Sequence, residues 1–226
     1  PELNPHNATL ALLRAGIEPP KVINACELGF GQGISVNINA SSNIIQWHGT
    51  DFNPDQASFA CELAEQAKNG AKLSQQSFLE FCNRDDLPDF DFVGLHGVWS
   101  WVSDENRLLI VEFLRKKLNL NGIVYISYNA MPGAANFLAA RHLLTQHALT
   151  YGSIENGLSR NITDSLGFLS DLMRQDTKAA RANPSLQKKI DNLRNQNPEY
   201  LAHEYYNADW APMHFSEVRN LLLGAK

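Results

Sequence analysis

Cysteine is scarce in this 226-residue chain, and Cys26, Cys61 and Cys82 form no C-x-x-C pair. That pattern argues against both a zinc site and a disulfide framework. An odd, sparse count suits a reducing, cytoplasmic compartment. Long apolar runs are missing too: the stretch 108–114 is short and broken by Glu112, far below the roughly 18–20 residues of a membrane span. No signal peptide is recognisable. The chain starts at Pro1 without a Met, as expected of a piece of a longer protein. Nor is there an excess of positive charge. Lys and Arg number 19 against 24 Asp and Glu, a net charge of −5, which argues against broad electrostatic binding of DNA, RNA or an anionic membrane. With 44% apolar and 19% charged residues the chain can bury a core, and its length fits one large domain or one domain with an insertion.

The periodicity predicts an ordered alternation. Residues 8–16 form a short amphipathic helix stopped by Gly16 and Pro19-Pro20. Residues 22–28 are a compact apolar run, hence a buried strand, ending in a glycine-rich turn that feeds a helix over 34–40. A second strand, 44–50, ends at Asp51. Asn53-Pro54 then provides a cap and a proline at the first position of a helix to about Lys68. A weak third strand (71–76), a fourth (90–96), a helix opened by Ser103-Asp104-Glu105 and a fifth strand (122–128) follow. Alternation of this kind implies parallel strands with right-handed crossovers, so residues 1–133 are expected to form a Rossmann-like, doubly wound α/β core. Residues 134–210 show helical stretches at 134–149, 164–180, 185–195 and 198–204 and no convincing strand, which predicts a separate helical module, a lid or an insertion. Its Arg174, Lys178, Arg181, Lys188, Lys189 and Arg194 read as a solvated face or, alternatively, a partner-binding patch. Residues 211–226 return to the core through a helix that starts near His214-Phe215-Ser216 and ends near Gly224.

The most informative stretch is Cys26-Glu27-Leu28-Gly29-Phe30-Gly31-Gln32-Gly33, between the first strand and its helix. Ligands of open α/β sheets bind at such places, outside the carboxyl ends of the strands. The spacing is G-x-G-x-G, with Ile34 where a dinucleotide fingerprint needs its last glycine. Glu27 would repel a pyrophosphate but attract a ligand carrying an ammonium and a sulfonium, a description that fits S-adenosylmethionine (SAM). A tight turn with no ligand is the plainer alternative. Asp51, 22 positions after Gly29, can accept hydrogen bonds from ribose hydroxyls or simply cap a turn. Gln76-Ser77-Phe78 can contact an adenine, unless Phe78 is core. The end of the fourth strand, His96-Gly97-Val98-Trp99-Ser100-Trp101, is where acceptor and transferring group would meet. Trp99 and Trp101 are either an aromatic pocket or packed core. His96 is a general base, a backbone partner or a cofactor-lining residue, and Tyr128-Asn129 faces the same crevice.

Together these residues resemble the class I SAM-dependent methyltransferases. More narrowly, they are similar to a bacterial family in which such a domain is followed by a helical methyltransferase regulatory domain. Asn4-Pro5 with LALLRAGIEPP, ACELGFGQG, GTDFNPDQ, LHGVWSWV, VYISYNAMPG and the late Asp209 to Phe215 stretch carry the resemblance, in order along most of the chain. It implies SAM as cofactor and S-adenosylhomocysteine as product. It also implies an acceptor that is a protein, as in the family's protein-lysine methyltransferases, or a small molecule. Glu27, Gly29, Gly31 and Gly33 would surround the methionine part and Asp51 the ribose, with Phe52 and Asn53 beside it. Ser77 and Phe78 would flank the adenine, and His96, Gly97 and Val98 would line the acceptor side. His96, Trp99 and Tyr128 are the catalytic candidates. The Asn/Asp-Pro-Pro-Tyr signature is absent, which argues against acceptors on nucleic-acid bases or glutamine. In class I methyltransferases the helix after the fifth strand precedes two further strands, so the resemblance implies a truncated domain whose sheet is incomplete or is completed by unseen segments or another chain. Transfer would be direct, with in-line attack on the sulfonium methyl, and a lysine acceptor would lose its proton by desolvation near Trp99, Trp101 and Tyr128. The helical module would close as a lid. The rivals are a catalytically silent SAM-binding module and an NAD-type oxidoreductase.

Overall fold

The computed structural model describes residues 2–153, 155, 157–175 and 177–225. Asp176, inside the helix expected over 164–180, lies outside the described residues, as do Pro1 and Lys226 at the ends of the expected core segments. Contacts divide the chain into two units, Pro1–Tyr128 with Phe215–Lys226, and Asn129–His214.

The first unit holds one parallel sheet of β1 (Asn24–Leu28), β2 (Gln46–Asp51), β3 (Lys72–Gln75), β4 (Phe90–Leu95) and β5 (Leu118–Ile126), in the order β3-β2-β1-β4-β5. α1 (Pro5–Arg14) precedes the sheet, and the connections between strands run through α2 (Ile34–Ser42), α3 (Pro54–Ala67), α4 (Phe78–Cys82) and α5 (Asp104–Lys117). Strand order reverses between β1 and β4, so the crevice at their carboxyl ends is the topological switch point of the sheet. Both faces are covered. On one, Ala25, Trp47 and Phe92 of the strands pack with Val36 and Ala40 of α2 and Ala57 and Ala60 of α3. On the other, Phe90 meets His48 and Phe113, and Phe113 meets Phe81 of α4, at ring separations of 5.5, 5.9 and 6.1 Å.

Local chemistry sets the helix starts. The Asn53 side chain accepts from the N–H groups of Asp55 and Gln56, with Pro54 at the first position of α3. Ser77 and Glu80 form a reciprocal capping box at α4, a helix the periodicity does not reveal because it is only five residues long. β5 begins at Leu118, not near Gly122. A register shift between Phe90 and Phe92 and a left-handed Asn121 (φ 63°) let the turn-like Asn119-Leu120-Asn121-Gly122 stay in the sheet.

The second unit is helical: α6 (Ala135–Tyr151), α7 (Gly157–Arg174), α8 (Lys178–Ala182), α9 (Pro184–Leu193) and α10 (Pro198–Tyr205). Ile162, Leu166, Leu169 and Met173 line one stripe of α7 and bury against Phe137, Ala140 and Leu144 of α6, Ile190 and Leu193 of α9 and Leu201 of α10. The single helix expected over 164–180 is two, because the Thr177 hydroxyl accepts from Ala180 N–H and starts a new helix. The basic residues are partly engaged within the unit. The Lys189 ammonium lies 3.9 Å above the Phe137 ring, and Arg174 pairs with Asp191 at 3.6 Å. The chain then returns to the first unit in α11 (Phe215–Leu222), which contacts α5.

A buried asparagine ties the first unit together beneath the glycine turn. Asn37 is 3% exposed; its Nδ2 donates to the carbonyls of Gly33 and Ala60, and its Oδ1 accepts from Asn69 Nδ2 at 2.8 Å. Asn37→Ala removes these three side-chain bonds, while the Gly33 carbonyl keeps the Asn37 N–H and Asn69 Nδ2 keeps the Asn37 carbonyl and Ser41 Oγ, and is expected to destabilise the chain by about 1–2 kcal/mol. A lower urea midpoint at unchanged denaturant slope is the expected reading.

Candidate functional site

The β1–α2 bend is a run of left-handed glycines, Gly29, Gly31 and Gly33, at φ 73°, 58° and 66°, a conformation that side-chain-bearing residues avoid. At two of them a side chain would also collide. A Cβ on Gly29 would sit 2.6 Å from Val98 Cγ2 and 3.8 Å from Phe78 Cζ, and one on Gly33 would sit 2.5 Å from Ala60 Cβ. The bend is held to β2 from above: the N–H groups of Gly29 and Phe30 donate to the Thr50 carbonyl, and Gly31 N–H donates to Asp51 Oδ2 at 2.8 Å. Asp51 Oδ1 accepts from Asn53 N–H at 2.9 Å. Thr50 Oγ1 donates to the Gln76 carbonyl, and Gln76 N–H donates to that of Asp51, which draws in the segment before α4. The fold therefore gathers Gly29, Gly31, Asp51, Phe78 and Val98 at one end of the sheet.

Glu27 is the electrostatic centre of this end. Its register partners on both neighbouring strands are glycines, Gly49 on β2 and Gly94 on β4. The room they leave on that face is taken by Phe30, whose ring lies 2.9 Å from the Cβ position of Gly49, and by Leu3, 2.5 Å from that of Gly94. Glu27 is consequently only 3% exposed. Among the described residues its hydrogen-bond partner is Ser35 of α2, whose Oγ lies 2.7 and 3.0 Å from the two carboxylate oxygens. One hydroxyl proton serves a group with about four lone-pair sites. Burial pushes the Glu27 carboxyl from its ordinary 4.5 up to about 7, against the pull of the Ser35 bond.

At the end of β4, His96 and Gly97 follow the strand and are exposed, and Val98 is buried against Gly29. The His96 ring stacks on Tyr125 of β5 (6.0 Å between centroids), with its Nδ1 3.2 Å from the Tyr125 hydroxyl. Gly97 N–H donates to Ser127 Oγ at 2.7 Å and closes the ends of β4 and β5. Burial pushes the Tyr125 phenol up. Tyr128 follows Ser127 and is half-buried.

Trp99 requires a correction. It is 0% exposed, so it packs as core and does not wall an open acceptor pocket. The buried Arg107 fixes that turn by donating from Nε to the Trp99 carbonyl at 3.0 Å. Ser77 spends its hydroxyl and N–H on Glu80, and Asn53 spends its side-chain oxygen on the α3 cap. Phe52 is 72% exposed. Ser35, Tyr125 and Ser127 carry no signal in the sequence apart from their distance from Glu27 and His96. Among the described residues no three His, Cys, Asp or Glu side chains cluster as a metal ion would need, and no helix is long and apolar enough to cross a membrane.

The raised Glu27 value has a definite sign for stability. The folded chain holds this proton more tightly than the unfolded chain, whose carboxyl titrates near 4.5. Stability present below pH 4.5 is thus lost as pH rises toward 7. Glu27→Gln is expected to remove that loss. Its advantage over the wild-type chain, read from urea denaturation without ligand, should grow by a few kcal/mol across this window and level off above it.

No protein-family model matches the chain. The uncharacterised protein sll1526 of Synechocystis sp. is 40% identical over 232 residues, covering all of this chain and 45% of that protein. Among solved structures, PKMT2 from Rickettsia typhi is similar at 25% identity and a TM-score of 0.71, over 93% of this chain and 39% of that one. PKMT2 in complex with AdoHcy is similar at 24% identity and a TM-score of 0.78, over 99% and 43% of the respective chains. The chain spans under half the length of each of these proteins. The likeness shows the fold, a Rossmann-like α/β architecture, and the doubly wound parallel sheet is the one that the strand–helix alternation predicts.

Proposed function

We propose that this chain binds SAM at the β1–α2 bend and is the catalytic core of a SAM-dependent methyltransferase. The observation that carries this reading is Glu27: a carboxylate buried to 3% exposure, beside a left-handed glycine bend, with one hydroxyl as its partner. A buried charge without donors is costly unless a ligand completes its shell. The missing complement is a cation with several N–H donors, as in the ammonium of an amino acid. A diphosphate would add negative charge beside it. The first turn of α2 has no side-chain cap, and its free N–H groups suit the carboxylate of the same amino acid. Asp51 is held by two backbone donors and keeps lone pairs for ribose hydroxyls. The AdoHcy bound by PKMT2 carries this set of groups.

When bound, SAM supplies an electrophilic methyl group on a sulfonium. The residues of this chain then have three tasks. Glu27 and the bend hold the amino-acid end, Asp51 orients the ribose, and Val98 and Phe78 close around Gly29 so that the reacting end is fixed. His96, backed by Tyr125, and Tyr128 are the groups available to an acceptor; the acceptor we favour is a protein lysine amine.

Calorimetry tests the cofactor. The wild-type chain should bind SAM and S-adenosylhomocysteine but not NAD. Glu27→Gln should weaken SAM about tenfold or more while adenosine changes little, in line with loss of a charged hydrogen bond. Binding of NAD at the bend, or SAM affinity untouched by the substitution, would sink the reading. Labelled SAM incubated with cell lysate, followed by mass spectrometry, tests the transfer. Label on protein lysine supports the favoured acceptor, label in the small-molecule fraction replaces it with a metabolite, and no transfer at all leaves a SAM-binding module.

A further inference from the structure

Glu27 has about four lone-pair sites and, among the described residues, one partner, which is the second residue of α2. Ser35 brings one proton to the two oxygens, because a hydroxyl has a single proton. At 2.7 and 3.0 Å from the pair it sits where the proton is shared, and it holds the carboxylate in place without saturating it. Helical serines commonly turn their hydroxyl back to a carbonyl of the preceding turn, as Ser41 does to Asn37 at 2.8 Å. Ser35 points its proton at the carboxylate instead. Its placement is built in from below: Gly33 at φ 66° starts the helix, and a side chain there would strike Ala60. Asn37, two positions on, locks the same turn to α3. The flanking glycines, Gly49 and Gly94, present no side-chain donor to Glu27 from either adjacent strand.

We infer that Ser35 is a positioning residue of the cofactor site: its hydroxyl fixes the Glu27 carboxylate in one orientation and leaves acceptor capacity for the ammonium of the bound amino acid. The inference rests on the SAM reading above and extends it to a residue that need not touch the cofactor. The Ser35 bond also favours the charged form of Glu27, opposing the effect of burial. Removing it therefore weakens the acceptor in two ways, by freeing its rotation and by favouring its protonated state.

The test uses two ligands, one with the amino-acid end and a charged sulfonium, the other with neither. SAM carries the amino acid, whereas 5′-methylthioadenosine keeps adenosine and sulfur but lacks it. Calorimetry on Ser35→Ala should show SAM weakened about tenfold, the scale of one hydrogen bond to a charged group. Affinity for 5′-methylthioadenosine should stay within about twofold of wild type, which also establishes that the variant is folded. Ser35→Thr keeps the hydroxyl and should restore SAM binding to within about threefold of wild type. Equal weakening of both ligands, or loss of SAM binding that threonine does not restore, would mean that Ser35 merely supports the fold. Unchanged SAM affinity in Ser35→Ala overturns the inference and leaves the SAM reading standing. A wild-type chain that binds 5′-methylthioadenosine but not SAM overturns both.

Discussion

A carboxylate removed from water must be met by donors or give up its charge, and the first unit is arranged around one that is met only in part. Glu27 is buried because its neighbours in register are Gly49 and Gly94, and because Phe30 and Leu3 fill the space those glycines leave. The same bend that delivers Phe30 onto Gly49 sets Gly33 in the left-handed region and so aims the first turn of α2. That turn does two things at once. Ser35 faces the carboxylate, and Asn37 anchors the helix to α3 and to the Gly33 carbonyl. The arrangement is rigid where it must be and unsatisfied at one point, the combination expected of a site whose ligand completes a hydrogen-bonded shell.

Much of this frame was legible before any coordinates. Alternating apolar runs and turn residues from 22 to 128 specify parallel strands with helical crossovers, because each periodicity buries a face only in that arrangement. Caps such as Asn53-Pro54 mark helix starts by a mechanism confined to a few neighbouring residues. Glu27 before the glycines and Asp51 at the end of β2 are likewise positions where short-range spacing suffices. Where the sequence fell short, the cause is the distance over which a contact is decided. The pairing of Ser35 with Glu27 depends on the rotation of α2, which the Gly33 dihedral sets. The pairing of His96 with Tyr125 depends on register between β4 and β5, where an irregularity admits extra residues. Trp99 illustrates the same limit: two tryptophans around a serine look alike whether they face a crevice or the interior, and only the packing of the turn, held by Arg107, decides for the interior.

The helical unit shows which kind of pattern is robust. One stripe of α7, from Ile162 to Met173, organises the packing of α6, α9 and α10, and a stripe of that length is visible as helix from its spacing alone. Its break before α8 is not, because a threonine hydroxyl that caps a new helix is indistinguishable in sequence from one within a helix. The basic residues carry less information than their number suggests. Lys189 lies over aromatic rings and Arg174 faces Asp191, so charge that reads as a uniform face is partly internal to the unit.

In the proposed function Asp51 and Glu27 would divide the work of recognition between them, and their hydrogen bonding says how. Asp51 already accepts a backbone N–H on each oxygen, so its orientation is set by the two turns it joins. A turn-forming role and a ligand-binding role do not compete there, because a carboxylate held by two donors keeps two further lone-pair sites facing outward. Such a group discriminates by geometry, and any pair of vicinal hydroxyls at the right distance satisfies it. Among the described residues Glu27 has no backbone donor, and desolvation makes its charge expensive. On the proposed reading it would discriminate by charge, in favour of an adenosine compound that carries an ammonium. A site that had to accept nucleosides in general would need only the first carboxylate. On the proposed reading, the second carboxylate, buried and incompletely partnered, would favour an amino-acid-bearing ligand at the bend.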